Sequence, residues 1–192
     1  IRQHDIPALG NALRQALHRQ GLQQFVLETV SALNRAIGEA WMRGEIQVFE
    51  EHLYTEQMQA LLRQAIGALP PGSGRPRILL TTVPEEQHIL GILMSEALLT
   101  LEGAGCVSLG TQTPLADIGL AARAQQADIV ALSFSSAFPT RQVAPLLKQL
   151  RGMLAANIEV WAGGAGIERV AAQEGVRIMG SLDAALEGLA QW

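Results

Sequence analysis

The chain has 192 residues, 48% hydrophobic and 17% charged, a balance that excludes a disordered polypeptide. Its formal net charge is −4 and no Lys/Arg cluster appears, so this stretch is a poor nucleic-acid binder by itself. The single cysteine, Cys106, rules out an internal disulfide and a multi-thiolate zinc site, and suits a cytoplasmic setting. No apolar run approaches the ~18 residues of a membrane span, and no signal-peptide pattern is present. The first residue is Ile1 rather than Met, so a fragment of a longer polypeptide is expected, with something missing in front.

The chain opens with helical patterning. Asp5 can cap a first helix with Pro7 in its first turn, and Gln20-Gly21 ends it. A second helix carries Leu22, Phe25, Val26, Val30, Leu33, Ile37 and Trp41 at spacings of three and four, and Gly44 stops it. A third carries Val48, His52, Leu53, Met58, Leu61, Leu62, Ile66 and Leu69. Helices of this length joined by short loops make a small antiparallel bundle over 1–70. The Pro/Gly-rich run from Pro70 to Pro76 then divides the chain.

From 77 to 192, strands alternate with helices. The pattern predicts strands over 77–82, 106–110, 128–133, 158–162 and 176–179. Helices are expected over 88–103, 114–126, 141–154, from about 167, and over 182–189. Near-continuous apolar strands in five βα units imply a parallel, doubly wound, flavodoxin-like sheet covered on both faces. Such sheets bind ligands beyond the carboxyl ends of their strands, at the switch point.

Three features fall at such ends. His88 follows the first strand in the run Glu86-Gln87-His88-Ile89-Leu90-Gly91; Ser133-Phe134-Ser135 ends the third; Gly163-Gly164 follows the fourth. A lone loop histidine is ordinarily hydrogen-bonded to a neighbour and nothing more. An imidazole that binds a metal through one ring nitrogen, however, needs an acceptor on the other, and Glu86 offers a carboxylate. Gly91 would let a loop backbone approach a flat ligand closely. Gly163-Gly164-Ala165-Gly166 lacks the third glycine of a dinucleotide fingerprint and follows the wrong strand for one.

These elements resemble the cobalamin-binding domain of corrinoid proteins, whose pattern is an acidic residue, any residue, His, two residues and Gly, then Ser-x-Leu, then Gly-Gly. Residues 92–132 separate the first two elements here and 136–162 the last two, which matches the family spacing. The departure is Ser135, where the family often has Leu. The resemblance covers 77 to about 190. It implies that His88 is the lower axial ligand of cobalt, that Glu86 is its partner, and that Ser133, Ser135, Gly163 and Gly164 line a slot for the benzimidazole tail.

In the helical half, Trp41 is followed, after residues 42–50, by Glu51-His52. This spacing resembles the helical cap of MerR-type, light-responsive repressors of carotenoid synthesis, and the likeness extends to Val48. It implies an adenosylcobalamin chromophore, with Trp41 shielding the adenosyl group and Glu51 and His52 hydrogen-bonding nearby. It further implies a homo-oligomer and DNA contact only through a missing N-terminal domain. Light-sensing members commonly carry His directly after this Trp; here it is Met42, a weak ligand. Two other functions compete: a corrinoid carrier of a methyltransferase system, which needs an open upper face, and a cofactor-free signalling domain of similar fold. Cys106 reads as an inert core thiol, His4 and His18 as solvated, and Thr111, Thr113 and Pro114 as an ordinary helix start or contacts to corrin amides. No nucleophile–His–acid set, P-loop or HExxH motif is present.

Overall fold

A computed structural model describes residues 4–70 and 74–192. The chain divides into two compact units, Ile1–Leu69 and Pro70–Trp192.

In the first unit, α1 spans Ile6–Gln20; the Asp5 side chain accepts from the Ala8 amide at 2.9 Å, and Gly21 (φ +76°) ends it. A continuous helix follows over 22–42. It begins as α2 (Leu22–Gln24), passes through a π-helical stretch (Phe25–Val30) and continues as α3 (Ser31–Met42). The π stretch inserts extra backbone per turn and rotates the downstream face. Phe25, Val26 and Val30 are buried and Leu33 and Ile37 half-buried, whereas Trp41, expected on the same stripe, is 51% exposed. The last helix, α4, is Val48–Gly67. Its start is a capping box: Glu50 accepts from the Gln47 amide at 2.8 Å. Its buried residues are Glu50, Tyr54, Met58, Leu61 and Leu62: the last three are expected apolar positions, whereas at the start of the helix Glu50 and Tyr54 face inward and Val48 and His52 outward. The Tyr54 hydroxyl donates to Asn34 of α3 at 2.6 Å, tying the two helices. His4 is not merely solvated: its Nε2 lies 3.0 Å from the Glu50 carboxylate.

The second unit is a five-stranded parallel sheet in the order β2-β1-β3-β4-β5. Its strands are β1 Arg77–Thr81, β2 Gly105–Ser108, β3 Ile129–Ser133, β4 Glu159–Gly163 and β5 Val176–Met179. Helices α5 (Leu90–Leu101), α6 (Leu115–Ala124), α7 (Thr140–Met153) and α8 (Leu182–Ala190) connect or follow them. Side chains alternate along each strand. Ile78, Leu80, Ile129 and Trp161 pack with Ile92 and Leu99 of α5 and Ala185 of α8. Leu79, Val130, Leu132 and Val160 pack with Ile118 of α6 and with Val143 and Leu147 of α7. The sheet is thus the doubly wound flavodoxin-like arrangement the alternating pattern predicts.

Two expectations fail locally. His88 does not open a helix, because α5 starts at Leu90 and His88 stays in the loop. Between β4 and β5 there is one 3-10 turn, Ala165–Ile167, in place of a helix. Gly164 and Gly166 press that segment onto the backbone of Phe134 and Ser135, with the Gly166 amide donating to the Phe134 carbonyl at 2.9 Å. Among the described residues, no helix is long and apolar enough to cross a membrane.

Candidate functional site

β1 and β3 are neighbours, yet the chain leaves them for opposite sides of the sheet, so their carboxyl ends form the switch point. The His88 loop follows β1 and the Ser133–Ser135 segment ends β3. Parallel pairing also sets Ser133 opposite Gly163. Topology therefore gathers all three separated sequence elements at one edge of the second unit.

Glu86 is the centre of this cluster. It is 1% exposed, and both carboxylate oxygens are occupied. One accepts from the His88 amide at 3.0 Å and lies 2.7 Å from His88 Nδ1. The other accepts from the Ser135 amide at 2.8 Å and the Ser135 hydroxyl at 2.9 Å. Burial by itself would raise the pKa of this carboxyl, but the donors from His88 and Ser135 outweigh it and hold the group below its ordinary range. An ionised Glu86 fixes the proton on Nδ1, which puts the lone pair of the neutral ring on Nε2. The His88 side chain is 58% exposed, so the imidazole meets solvent while its partner is buried.

Ser135 has a role that the resemblance did not imply. Its hydroxyl is in the carboxylate network and lies 3.0 Å from His88 Nδ1. Leucine, common here in the corrinoid pattern, would leave that oxygen of Glu86 with the backbone donor alone.

Gly91 has a packing role that the sequence did not show. It sits in the first turn of α5, where a Cβ would overlap the Ser133 hydroxyl. It therefore serves helix–strand packing. Gly164 has φ +97°, and a Cβ there would run into the Phe134 carbonyl. Gly163 is extended and paired with Met179, with ordinary room around it. On the α5/α8 side of the sheet, Ala131, Ser133 and Gly163 present only small groups near the strand ends. Sequence reading missed Gly166 and Thr82. The signal for the first was its place in the Gly163–Gly166 run; for Thr82 there was none beyond its position at the strand end.

In the helical unit, Trp41 and Met42 end α3, and Val48 begins α4. These three and Phe49 are exposed apolar side chains near one inter-helix turn. Glu51 accepts from the Thr55 hydroxyl at 2.6 Å, and its other oxygen lies 3.6 Å from His52 Nε2. His52, within α4, is exposed.

One imidazole with a buried carboxylate behind it suits a divalent or trivalent cobalt ion. Among the described residues, no group of three or more His, Cys, Asp or Glu could hold a metal ion. A cavity of about 350 Å³, lined by Arg77, Ile78, Cys106, Val107 and Ala127, lies at the opposite, amino-terminal end of the sheet. Burial pushes the Cys106 thiol up to about 11, so it is unreactive at neutral pH.

A helical unit joined to a doubly wound sheet with a carboxylate-backed histidine at its switch point is the architecture of a corrinoid-binding protein. Comparison with known proteins agrees: residues 1–66 match the sequence model of the B12 binding domain. The chain is homologous to the HTH-type transcriptional repressor CarH of Myxococcus xanthus, at 30% identity over 84% of this chain and 54% of the repressor. It is similar to CarA of the same organism at 33% identity, over 56% of this chain and 37% of that protein. The chain thus spans about half the length, or less, of these curated relatives. Its fold is that of the Methanosarcina barkeri monomethylamine corrinoid protein, with a TM-score of 0.73 at 17% identity over 98% of this chain and 92% of that one.

Proposed function

We propose that this chain is the cobalamin-binding sensory part of a transcriptional regulator, with adenosylcobalamin as its chromophore and DNA contact made by a segment outside it. The observation that carries cobalamin binding is the buried Glu86 carboxylate, 2.7 Å from Nδ1 of a half-exposed His88 at the switch point. In this reading His88 Nε2 is the lower axial ligand of cobalt. Glu86 orients it and raises its basicity, and the Ser135 hydroxyl steadies Glu86. Ser133, Gly163 and Gly164, with Gly91 packed behind Ser133, keep the strand ends slim beside the cofactor tail.

When bound, adenosylcobalamin supplies a cobalt–carbon bond that light can break. The regulator reading is supported by the similarity to CarH across most of this chain and by the exposed Trp41. Trp41 offers a flat apolar surface to an adenosyl group; Val48, Glu51 and His52 flank it as contacts and hydrogen-bonding groups. Met42, beside Trp41, is a weak ligand, so a second protein nitrogen on cobalt after illumination would have to come from elsewhere. The output is a change in assembly of a homo-oligomer in a cytoplasmic setting, driven by a difference in cofactor contacts between two arrangements.

A second reading, a methyl-carrying corrinoid protein, is favoured by the fold shared with the monomethylamine corrinoid protein. The two are separated by recording absorption and hydrodynamic size with adenosylcobalamin, in darkness and after green light. A spectral change with a size change supports the sensor. Photolysis without a size change, together with equal or better binding of methylcobalamin, supports the carrier. His88 is tested in the same protein labelled with ¹⁵N-histidine and loaded with cob(II)alamin. The electron paramagnetic resonance lines are split into doublets if His88 holds cobalt and into triplets if the cofactor's own ¹⁴N tail does. His88→Ala is expected to abolish the doublets and weaken binding; doublets that persist remove His88 from the site.

A further inference from the structure

Thr82, the residue after β1, is 0% exposed and its hydroxyl is fully used. It donates to the Glu86 carbonyl at 2.6 Å and accepts from the Gln112 amide at 2.8 Å. Its own carbonyl accepts from the Thr113 amide at 3.1 Å. One side chain thus ties two loops together: the β1–α5 loop that carries Glu86 and His88, and the β2–α6 loop over 109–114. Both loops hold a non-glycine residue in the left-handed region, Glu85 at φ +69° and Gln112 at φ +61°. Such backbone persists only where surrounding bonds over-determine it, and the Thr82 hydroxyl bonds directly to Gln112 and to the residue after Glu85. Thr81 adds a second tie, with its hydroxyl 2.7 Å from that of Thr113 and donating to the Gly110 carbonyl at 2.9 Å.

We propose that Thr82 is a positioning residue for the cobalt ligand: its buried hydroxyl locks the backbone of Glu86 against the 109–114 loop, and so sets the direction in which the Glu86 carboxylate holds the His88 imidazole. This rests on the reading of His88 as the lower axial ligand. Metal affinity depends on the groups that hydrogen-bond a ligand, whose loss costs tenfold or more; Thr82 acts one step further out, through the backbone of Glu86. The valine isostere would fill the same space and leave a buried carbonyl and an amide without their partner.

The test compares Thr82→Val and Thr82→Ser with the unaltered chain, labelled with ¹⁵N-histidine and loaded with cob(II)alamin. Thr82→Val is expected to bind on the order of tenfold more weakly and to convert part of the doublet pattern to triplets. Thr82→Ser, which keeps the hydroxyl, is expected to retain affinity and doublets. Without any cofactor, the amide of Gln112, an exposed residue, is expected to exchange slowly in the unaltered chain and quickly in Thr82→Val. The proposal is overturned if Thr82→Val matches the unaltered chain in splitting and affinity, if Thr82→Ser is as impaired as Thr82→Val, or if the Gln112 amide of the unaltered chain is unprotected. An unprotected Gln112 amide overturns the proposal even if Thr82→Val does not fold, and Thr82→Ser then carries the remaining comparison. An unaltered chain that gives only triplets, or binds no cob(II)alamin, instead defeats the His88 assignment itself and this inference with it.

Discussion

At the scale of single residues, the chemistry converges on Glu86. A carboxylate that is 1% exposed would be costly if unpaired; four donor contacts from His88 and Ser135 compensate it. Glu86→Gln can match only part of this donor set, because its amide nitrogen must face a donor. At pH 7 the variant is expected to be less stable by about 1–3 kcal/mol. The sign of the pH dependence follows from the lowered carboxyl: the folded state releases the Glu86 proton more readily than the unfolded chain, whose ordinary value is 4.5. The stabilisation is therefore fully present above that value and fades as pH falls from it through the lower folded one. Denaturant titrations of both proteins from pH 7 to pH 3 should show a constant gap that closes only on the acid side. A gap that persists unchanged at pH 3 would mean that ionisation of Glu86 is not what stabilises the loop.

At the scale of elements, the motif works through contacts between its own parts. Gly91 of α5 admits the Ser133 hydroxyl at the end of β3, Ser133 pairs with Gly163 of β4, and Gly164 admits the Phe134 carbonyl. Gly91→Ala should cost about 1–3 kcal/mol, because the added methyl meets an oxygen in a packed interface. Ser133→Ala removes that oxygen and leaves the Ser133 Cβ at 3.5 Å, ordinary contact distance. The double variant should therefore recover most of the loss, a coupling measurable by a thermodynamic cycle. Strictly additive losses would show that the glycine is needed for something other than Ser133. The order of strands and helices was legible because period and turn residues are local signals. The missing helix after β4 was not, since what replaces it is a close approach of Gly164 and Gly166 to a distant strand end.

At the scale of the whole molecule, the net charge of −4 and the absence of a basic stripe predict that this chain alone gives no shift of DNA in an electrophoretic assay, with or without cobalamin. A shift at moderate salt would require a nucleic-acid surface that the charge pattern does not reveal. The exposed Trp41, with Met42, Val48 and Phe49, is apolar surface that the helical unit does not bury in its own core. Trp41→Ala should thus leave the melting temperature nearly unchanged, within the about 0.5 kcal/mol typical of surface sites. It should reduce the preference for adenosylcobalamin over methylcobalamin in a competition titration. Unchanged preference would take Trp41 out of the cofactor contact and favour the carrier reading.

The sequence by itself determined the division at the Pro/Gly run, the alternation that demands a parallel sheet, and the pairing of an acidic residue with a histidine two positions later. Those are consequences of periodicity and short spacing, and both survive without knowledge of distant neighbours. Only the tertiary structure decided that Ser135 serves the carboxylate, that Gly91 packs a helix on a strand, and that Thr82 joins two loops. Each depends on atoms brought together across tens of residues, and hydrogen bonds of that kind leave no period in a chain. The π-helical stretch at Phe25–Val30 is the same lesson inside one helix. Phe25, Val26 and Val30 of that stretch are buried, Leu33 and Ile37 beyond it are half-buried and Trp41 at the end of the helix is exposed, a gradient that regular spacing does not show because burial depends on which distant neighbours reach each turn.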